Sequence, residues 1–222
     1  MNRIEETKAK IVEIIQREYR NGMVNMFEGN VSARVGDTIL ITPSQVAKDA
    51  TTPEMIIEMD LEGNITHLPE GMKPSSESKM HLEVYRLRKD VQAVVHNHSI
   101  YATAFAMNNM PIETKALTEV NMTLGVVPVC AYGTPGTERI YADLKNKIGN
   151  GNAVLLANHG LLTYGPNLEI AYSFAEGVEK IAQTITIAGR IGEPSNIPDE
   201  EIEGLRQYGS MARDKAIAEA LK

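Results

Sequence analysis

The sequence predicts an α+β fold in which a central, mainly antiparallel β-sheet is flanked by α-helices. Three observations predict it. Short apolar, β-branched runs bounded by turn residues recur through the chain, at residues 31–35, 38–41, 91–95, 153–157 and 161–164. Tight turns such as Gly36-Asp37 join neighbouring runs and reverse the chain direction. Segments with helical spacing stand at both ends and between the runs, so helices must cover the sheet. At 222 residues the chain fits one domain, 1–222, long enough to bury a substantial core.

Taken in order, Ile4, Ala9, Ile11, Val12, Ile14, Ile15 and Tyr19 have helical spacing among charged neighbours, and Asn21-Gly22 stops that helix. Residues 31–35 and 38–41 form a hairpin. Further strands are expected at 55–59 and, on a weaker signal, 64–67. A helix follows over 76–89 with Met80, Val84 and Leu87 on one face. The strand from Val91 leads into His96 and His98, and 100–107 is helical up to the break at Asn108-Asn109-Met110-Pro111. The stretch 112–125 carries no clear period. A strand is expected at 126–129, a loop at 133–136 and a helix at 137–148. Two strands then surround His159-Gly160 and close at Gly165-Pro166. Asn167 can cap a long helix running from Leu168 toward Gly189, since its short side chain accepts bonds from free N–H groups. The tail from about residue 198 is charged and helical, with an interruption expected near Gly209.

Composition excludes several function classes. Lys and Arg number 22 against 29 Asp and Glu, for a formal net charge of −7, and no basic stripe tracks a phosphate backbone. Nucleic acid is therefore not an expected partner. A single cysteine, Cys130, sits among apolar neighbours and reads as a buried, inert thiol; it supports neither a disulfide framework nor a cysteine-rich zinc finger. No run approaches the ~18 apolar residues of a membrane span, and the acidic N-terminus does not read as a secretory signal. A soluble, cytoplasmic protein without a membrane partner is expected.

The chemistry concentrates in Val94-Val95-His96-Asn97-His98 and Asn158-His159-Gly160. Residues i and i+2 of a strand share a face, so His96 and His98 can aim two imidazoles at one point while Asn97 points away or secures the backbone. His159 follows a second apolar run directly. A His-x-His pair alone is a short pattern that also occurs in ordinary cores. Three histidines at strand ends, with no fourth obvious ligand, fit a catalytic zinc site with one open position. His67 reads as solvated in a loop-like stretch, and His81 as a surface or packing residue of a helix. Pro74-Ser75-Ser76-Glu77 has two readings: an anion cradle at a helix start, or simple capping by Ser75 or Ser76 with Glu77 at the helix's positive end. Gly29-Asn30-Val31-Ser32 and Thr42-Pro43-Ser44 are further candidate anion cradles, each made of residues that turns also favour.

These motifs, together with Tyr132-Gly133-Thr134-Pro135-Gly136-Thr137, occur in the order and approximate spacing of the class II aldolase/adducin-head family. The chain resembles that family from its first helix to its tail. The resemblance implies that His96, His98 and His159 are zinc ligands and that Glu77 is a fourth metal-facing group that swings away to act as a base. It implies a substrate phosphate near Asn30, Ser44, Ser75 and Ser76. It also implies a homotetramer with active sites at subunit boundaries, and Tyr208 as the proton donor or lid tyrosine near the C-terminus.

The reaction so implied is reversible cleavage of a ketose 1-phosphate to dihydroxyacetone phosphate and a short aldehyde, through an enediolate whose charge a zinc ion stabilises. Other divalent transition metals also accept imidazole ligands. Two positions depart from the family pattern. Gln45 stands where a glycine usually follows the Thr-Pro-Ser element, and Phe27 where a small or hydroxylated residue is common. The stretch 113–122 also lacks a tyrosine that the aldolases carry; Lys115, Thr118, Glu119 or Asn121 could take that space. A sugar-phosphate 4-epimerase or a dehydratase would use a related metal site, and a non-catalytic adducin-like module would need none.

Overall fold

Successive side chains of a strand point to opposite faces of a sheet, and the central strands here carry apolar residues on both. In β1 (Asn30–Val35) and β5 (Ala93–Asn97), Val31, Ala33, Ala93 and Val95 enter one core together with Leu155 of β7 (Ala153–Leu156) and Leu161 of β8 (Gly160–Gly165). That face is covered by α1 (Arg3–Arg20), α3 (Ile100–Met107) and the long α5 (Leu168–Ile191). Val94, Val154, Leu156, Leu162 and Tyr164 point the other way. They form a second core with Ile39 and Ile41 of β2 (Thr38–Ile41), Ile57 and Met59 of β3 (Ile57–Met59), and Met80, Val84 and Tyr85 of α2 (Ser78–Leu87). Helices on both faces of one sheet make three layers. This computed structural model describes residues 2–220.

With β4 (Ile65–His67) and β6 (Val129–Cys130), the sheet has eight strands in the order β4-β3-β2-β1-β5-β8-β7-β6. Every pairing is antiparallel except β6 with β7. The expected α+β class with a mainly antiparallel sheet is therefore what the chain forms. The register of β5 places His96 opposite Asn30 on one side and Leu162 on the other.

Local signals explain the helix ends. Asn2 caps α1 by accepting from the Ile4 N–H at 3.3 Å, Glu5 and Glu6 sit in its first turn, and Arg17 and Arg20 in its last, each sign matched to the helix dipole. Asn167 caps α5 as expected, accepting from Ile170 at 2.9 Å. His67 is exposed, in β4 rather than in a loop. Cys130 is buried, and burial pushes its thiol up to about 12, which keeps it protonated and unreactive.

Five local expectations change. Leu87 ends α2 and is exposed, while Met80 and Val84 alone carry the buried face. The helix expected over 137–148 is a 3-10 turn (Glu138–Ile140) and a four-residue α4 (Leu144–Lys147). Asp143 stands just before α4, and its carboxylate accepts from the Ala131 N–H at 2.9 Å and from the Asn146 side chain at 2.8 Å, tying the start of that short helix to the end of β6. The strand expected over 126–129 begins only at Val129, because Val127 pairs with Ile112 in an isolated bridge and Pro128 has no N–H to give. The stretch without a clear period contains a π-helical turn (Val120–Leu124), a shape that periodicity does not encode.

The interruption expected near Gly209 is absent: α6 (Asp199–Ala220) passes through it. A Cβ there would lie 1.6 Å from the Met122 carbonyl oxygen, so the glycine serves the close approach of α6 to the π turn rather than a break.

Candidate active site

The end of β5 and the turn between β7 and β8 bring His96, His98 and His159 together. Their ring centroids lie 4.7 to 5.0 Å apart, and one nitrogen from each could hold a single metal ion. Hydrogen bonds select which nitrogen. His96 Nδ1 stands 2.8 Å from the Leu161 carbonyl, an acceptor, so Nδ1 carries the proton and Nε2 keeps its lone pair. His98 Nδ1 lies 3.3 Å from the Glu28 carboxylate, with the same consequence. The two Nε2 atoms are then 3.2 Å apart, both directed inward. Burial pushes the pKa of His96 down to about 3, and burial followed by His159 lowers that of His98. Neutral imidazoles are the form a cation binds, so the donor set fits a divalent transition metal.

The turn that delivers His159 is tightly specified. Asn158 adopts φ +57°, a left-handed conformation that asparagine tolerates better than most residues. At Gly160 a Cβ would lie 2.5 Å from the Asn97 carbonyl oxygen and 2.7 Å from the His98 ring. Only glycine lets β8 pass that close to the histidine pair.

Glu77 occupies the residue before α2 without capping it, and its side chain turns into the site. One carboxylate oxygen lies 2.7 Å from His159 Nε2. The other lies 3.4 Å from His96 Nε2 and accepts from the Asn30 amide at 2.9 Å. Burial works to raise the Glu77 pKa, but His96, His159 and the Asn30 hydrogen bond outweigh it and hold the carboxyl well below the usual range. Neither Ser75 nor Ser76 caps α2 with its side chain: the Ser75 hydroxyl accepts from the Glu77 N–H at 3.2 Å in a turn ahead of the helix, and its carbonyl accepts from the Ser78 hydroxyl at 2.7 Å. The Glu77 side chain belongs to the histidines.

The other expected anion-binding residues border the same region unevenly. Asn30 is buried against Glu77, while Ser76 is exposed and Ser75 and Ser44 are half-buried. Pro43 faces Pro74 in an isolated bridge, and the Ser44 N–H donates to the Lys73 carbonyl at 2.8 Å, so the two loops run side by side. Gln45 adopts φ +59°, the conformation for which a glycine would be the unstrained choice. Phe27 is exposed on the loop before Gly29. Tyr208 is exposed on α6, and among the described residues no hydrogen bond joins it to the histidines or Glu77.

Glu28, Glu18 and Lys48 were not evident from sequence, and the roles of Asn97 and His81 become specific only here. Glu28 orients His98. Asn97, turned to the opposite face of β5, donates from its amide to Glu18 of α1 at 2.8 Å, and its carbonyl oxygen accepts from the Ser99 N–H. Glu18 is fully buried, and burial pushes its pKa up to about 8. Lys48, also buried, has its pKa lowered by burial against the opposing pull of Glu18 and Glu77. His81 is neither on the surface nor in plain packing: it is fully buried and hydrogen-bonded to Asn30 and Ser32. A signal was available for it, since Glu77, His81 and Tyr85 are spaced four apart and so lie on one helical face.

A sequence profile of the family described as class II aldolase and adducin N-terminal domain matches residues 9–186. The chain belongs to that family. Among curated class II aldolase relatives, a 5-deoxy-D-ribulose 1-phosphate aldolase of Bacillus thuringiensis serovar kurstaki is 34% identical, over 91% of this chain and 94% of the relative. A 3-oxo-tetronate 4-phosphate decarboxylase of Haemophilus influenzae is 30% identical, over 91% and 97%. A solved L-fuculose 1-phosphate aldolase superposes with a TM-score of 0.84 at 30% identity, covering 91% of this chain and 95% of that one. Among the described residues of this family member, no helix is long and apolar enough to cross a membrane.

Two outcomes are expected from this geometry. Gly160→Ala should weaken the affinity for added zinc about 10–100-fold, measured by competition with a chromogenic chelator; unchanged affinity would show that the close approach of β8 is not needed. Glu18 has a folded pKa of about 8 against about 4.5 unfolded. Between those values the folded state keeps a proton that the unfolded state has released, so stability falls as pH rises from about 4.5 to about 8. Denaturation midpoints across that window should decline in the wild-type protein and be flatter in Glu18→Gln.

Proposed function

We propose that this chain is a metal-dependent aldolase that reversibly cleaves a ketose 1-phosphate of the fuculose 1-phosphate type into dihydroxyacetone phosphate and a short aldehyde. The observation that carries the reading is the Glu77 carboxylate, held below the usual pKa range and hydrogen-bonded to His159 within the cluster of His96, His98 and His159. His96, His98 and His159, with Glu77 as a fourth, exchangeable group, would hold zinc, though manganese, iron, cobalt or nickel would also suit imidazole ligands. A divalent cation bound there supplies Lewis acidity toward the negative charge that develops on the ketose oxygens when the carbon–carbon bond breaks.

The remaining work falls to side chains. Glu77, released from His159, carries the proton at carbon: as the carbon–carbon bond breaks, the hydroxyl on the departing carbon loses one proton and becomes the aldehyde oxygen, and the dihydroxyacetone phosphate carbon gains one through Glu77, so the proton count is unchanged. Asn30, Ser44, Ser75 and Ser76 offer amide and hydroxyl groups to the phosphate oxygens. Tyr208 acts as proton donor or lid from a neighbouring subunit of a homotetramer, a role that its exposure on α6 suits. Light scattering in solution should give the mass of four chains; a monomeric mass would remove Tyr208 from the site.

A second reading, decarboxylation of a sugar-acid phosphate, is favoured by the decarboxylase relative. Loss of carbon dioxide and loss of an aldehyde both leave charge beside a ketone, so the same residues serve either. A 4-epimerase or a dehydratase is also compatible with such a site. Product analysis separates them. Incubation with fuculose 1-phosphate or ribulose 1-phosphate should release dihydroxyacetone phosphate in a coupled assay, with activity lost on chelation and restored by zinc. Carbon dioxide from 3-oxo-tetronate 4-phosphate alongside silence in that assay would replace the aldolase reading.

A further inference from the structure

Behind Glu77 runs a buried row of polar groups, of which the proposed reaction uses only the first, Asn30. Asn30 joins Glu77 at 2.9 Å, His81 Nε2 joins Asn30 Oδ1 at 2.5 Å, Ser32 Oγ joins His81 Nδ1 at 2.7 Å, and Tyr85 OH joins Ser32 Oγ at 2.7 Å. His81, Ser32 and Tyr85 are fully buried, and Asn30 is nearly so. β1 supplies Asn30 and Ser32 on one face, and α2 supplies Glu77, His81 and Tyr85 on the face that meets it.

Each link in this row has only one possible direction. An ionised carboxylate can only accept, so Asn30 presents its N–H to Glu77 and its carbonyl to His81. A carbonyl also only accepts, so His81 carries its proton on Nε2. Burial pushes the His81 pKa down to about 4, which leaves the ring neutral with a bare Nδ1. The Ser32 hydroxyl must then donate to Nδ1, and the Tyr85 hydroxyl to Ser32.

We infer that His81 is a positioning residue whose Nε2–H, held in place by Ser32 and Tyr85, locks the Asn30 amide with its N–H toward Glu77. Turned the other way, the amide would set its carbonyl against the carboxylate and leave two buried acceptors facing each other. The lock also acts when Glu77 moves. With His81 in place, the vacated Asn30 N–H can be filled only by another acceptor, such as a substrate oxygen, and a donor is rejected. This deepens the reading of Glu77 as the proton-carrying group and rests on it.

The test separates the two claims. In protein labelled with nitrogen-15 at histidine, the His81 ring signals are those missing from His81→Gln, and their shifts should report a proton on Nε2 and a bare Nδ1. A proton on Nδ1, or a charged ring at neutral pH, overturns the inference whatever the enzyme cleaves. Among variants, glutamine places an N–H near the former Nε2 and asparagine does not. His81→Gln should keep kcat/KM within about threefold, while His81→Asn and His81→Leu should lose about 10–100-fold with the fold intact by circular dichroism. Equal activity of His81→Asn and His81→Gln overturns the inference. If the variants do not fold, the His81 ring signals are assigned in the wild-type protein by triple-resonance correlation, and its tautomer still decides. A wild-type protein inert toward every ketose phosphate, with the expected tautomer, would sink the proposed reaction and leave the hydrogen-bond chain supported.

Discussion

The pairing of β5 between β1 and β8 is the constraint on which the site rests. His96 sits between Asn30 and Leu162 in that register. A slip of one residue would reverse every side chain of the strand: the imidazole would enter the core beneath α1 and α5, and Asn97 would face Glu77. Apolar residues on both faces make the slip costly, because Val94 and Val95 fill different cores whose shapes are set by different helices. The placement of His96 is therefore fixed by the packing of valines on both faces of its strand.

The two faces of β5 divide the polar work as well. On the α2 side, His96 lies 3.4 Å from Glu77, and a hydrogen-bonded row behind Glu77 reaches Tyr85. On the α1 side, Asn97 is held by Glu18. A buried carboxyl is costly in a protein interior, and here it anchors the one residue that lies between two histidines in sequence. Hydrogen bonds from Leu161 and Glu28 then decide which nitrogens remain free. The arrangement spends stability on orientation, as sites built for bound ions do.

Much of this was legible in the residues. The histidine trio stood out because strand alternation and a following glycine leave few other arrangements, and the sheet, the long capped helix and the hairpin followed from local period and turn chemistry. Other features were hidden for a physical reason: they depend on partners distant in the chain. His81 reads as an ordinary helix residue until β1 is seen to bring Asn30 and Ser32 against it. Glu18 reads as one more charge on an amphipathic helix until Asn97 is found pointing at it. The π turn and the short α4 are tied to tertiary contacts, at Gly209 and Asp143, that no periodicity records. Tyr208 lies exposed on α6, and among the described residues no hydrogen bond joins it to the histidines.

The loops bearing Ser44 and Ser75 meet through Pro43 and Pro74, and a proline cannot extend a ladder of hydrogen bonds. One backbone bond, Ser44 to Lys73, joins them there. Breaking such a bond costs about 0.5–1.5 kcal/mol net, little more than thermal energy. Loops joined so lightly should part at lower cost than the paired strands on which the histidines stand.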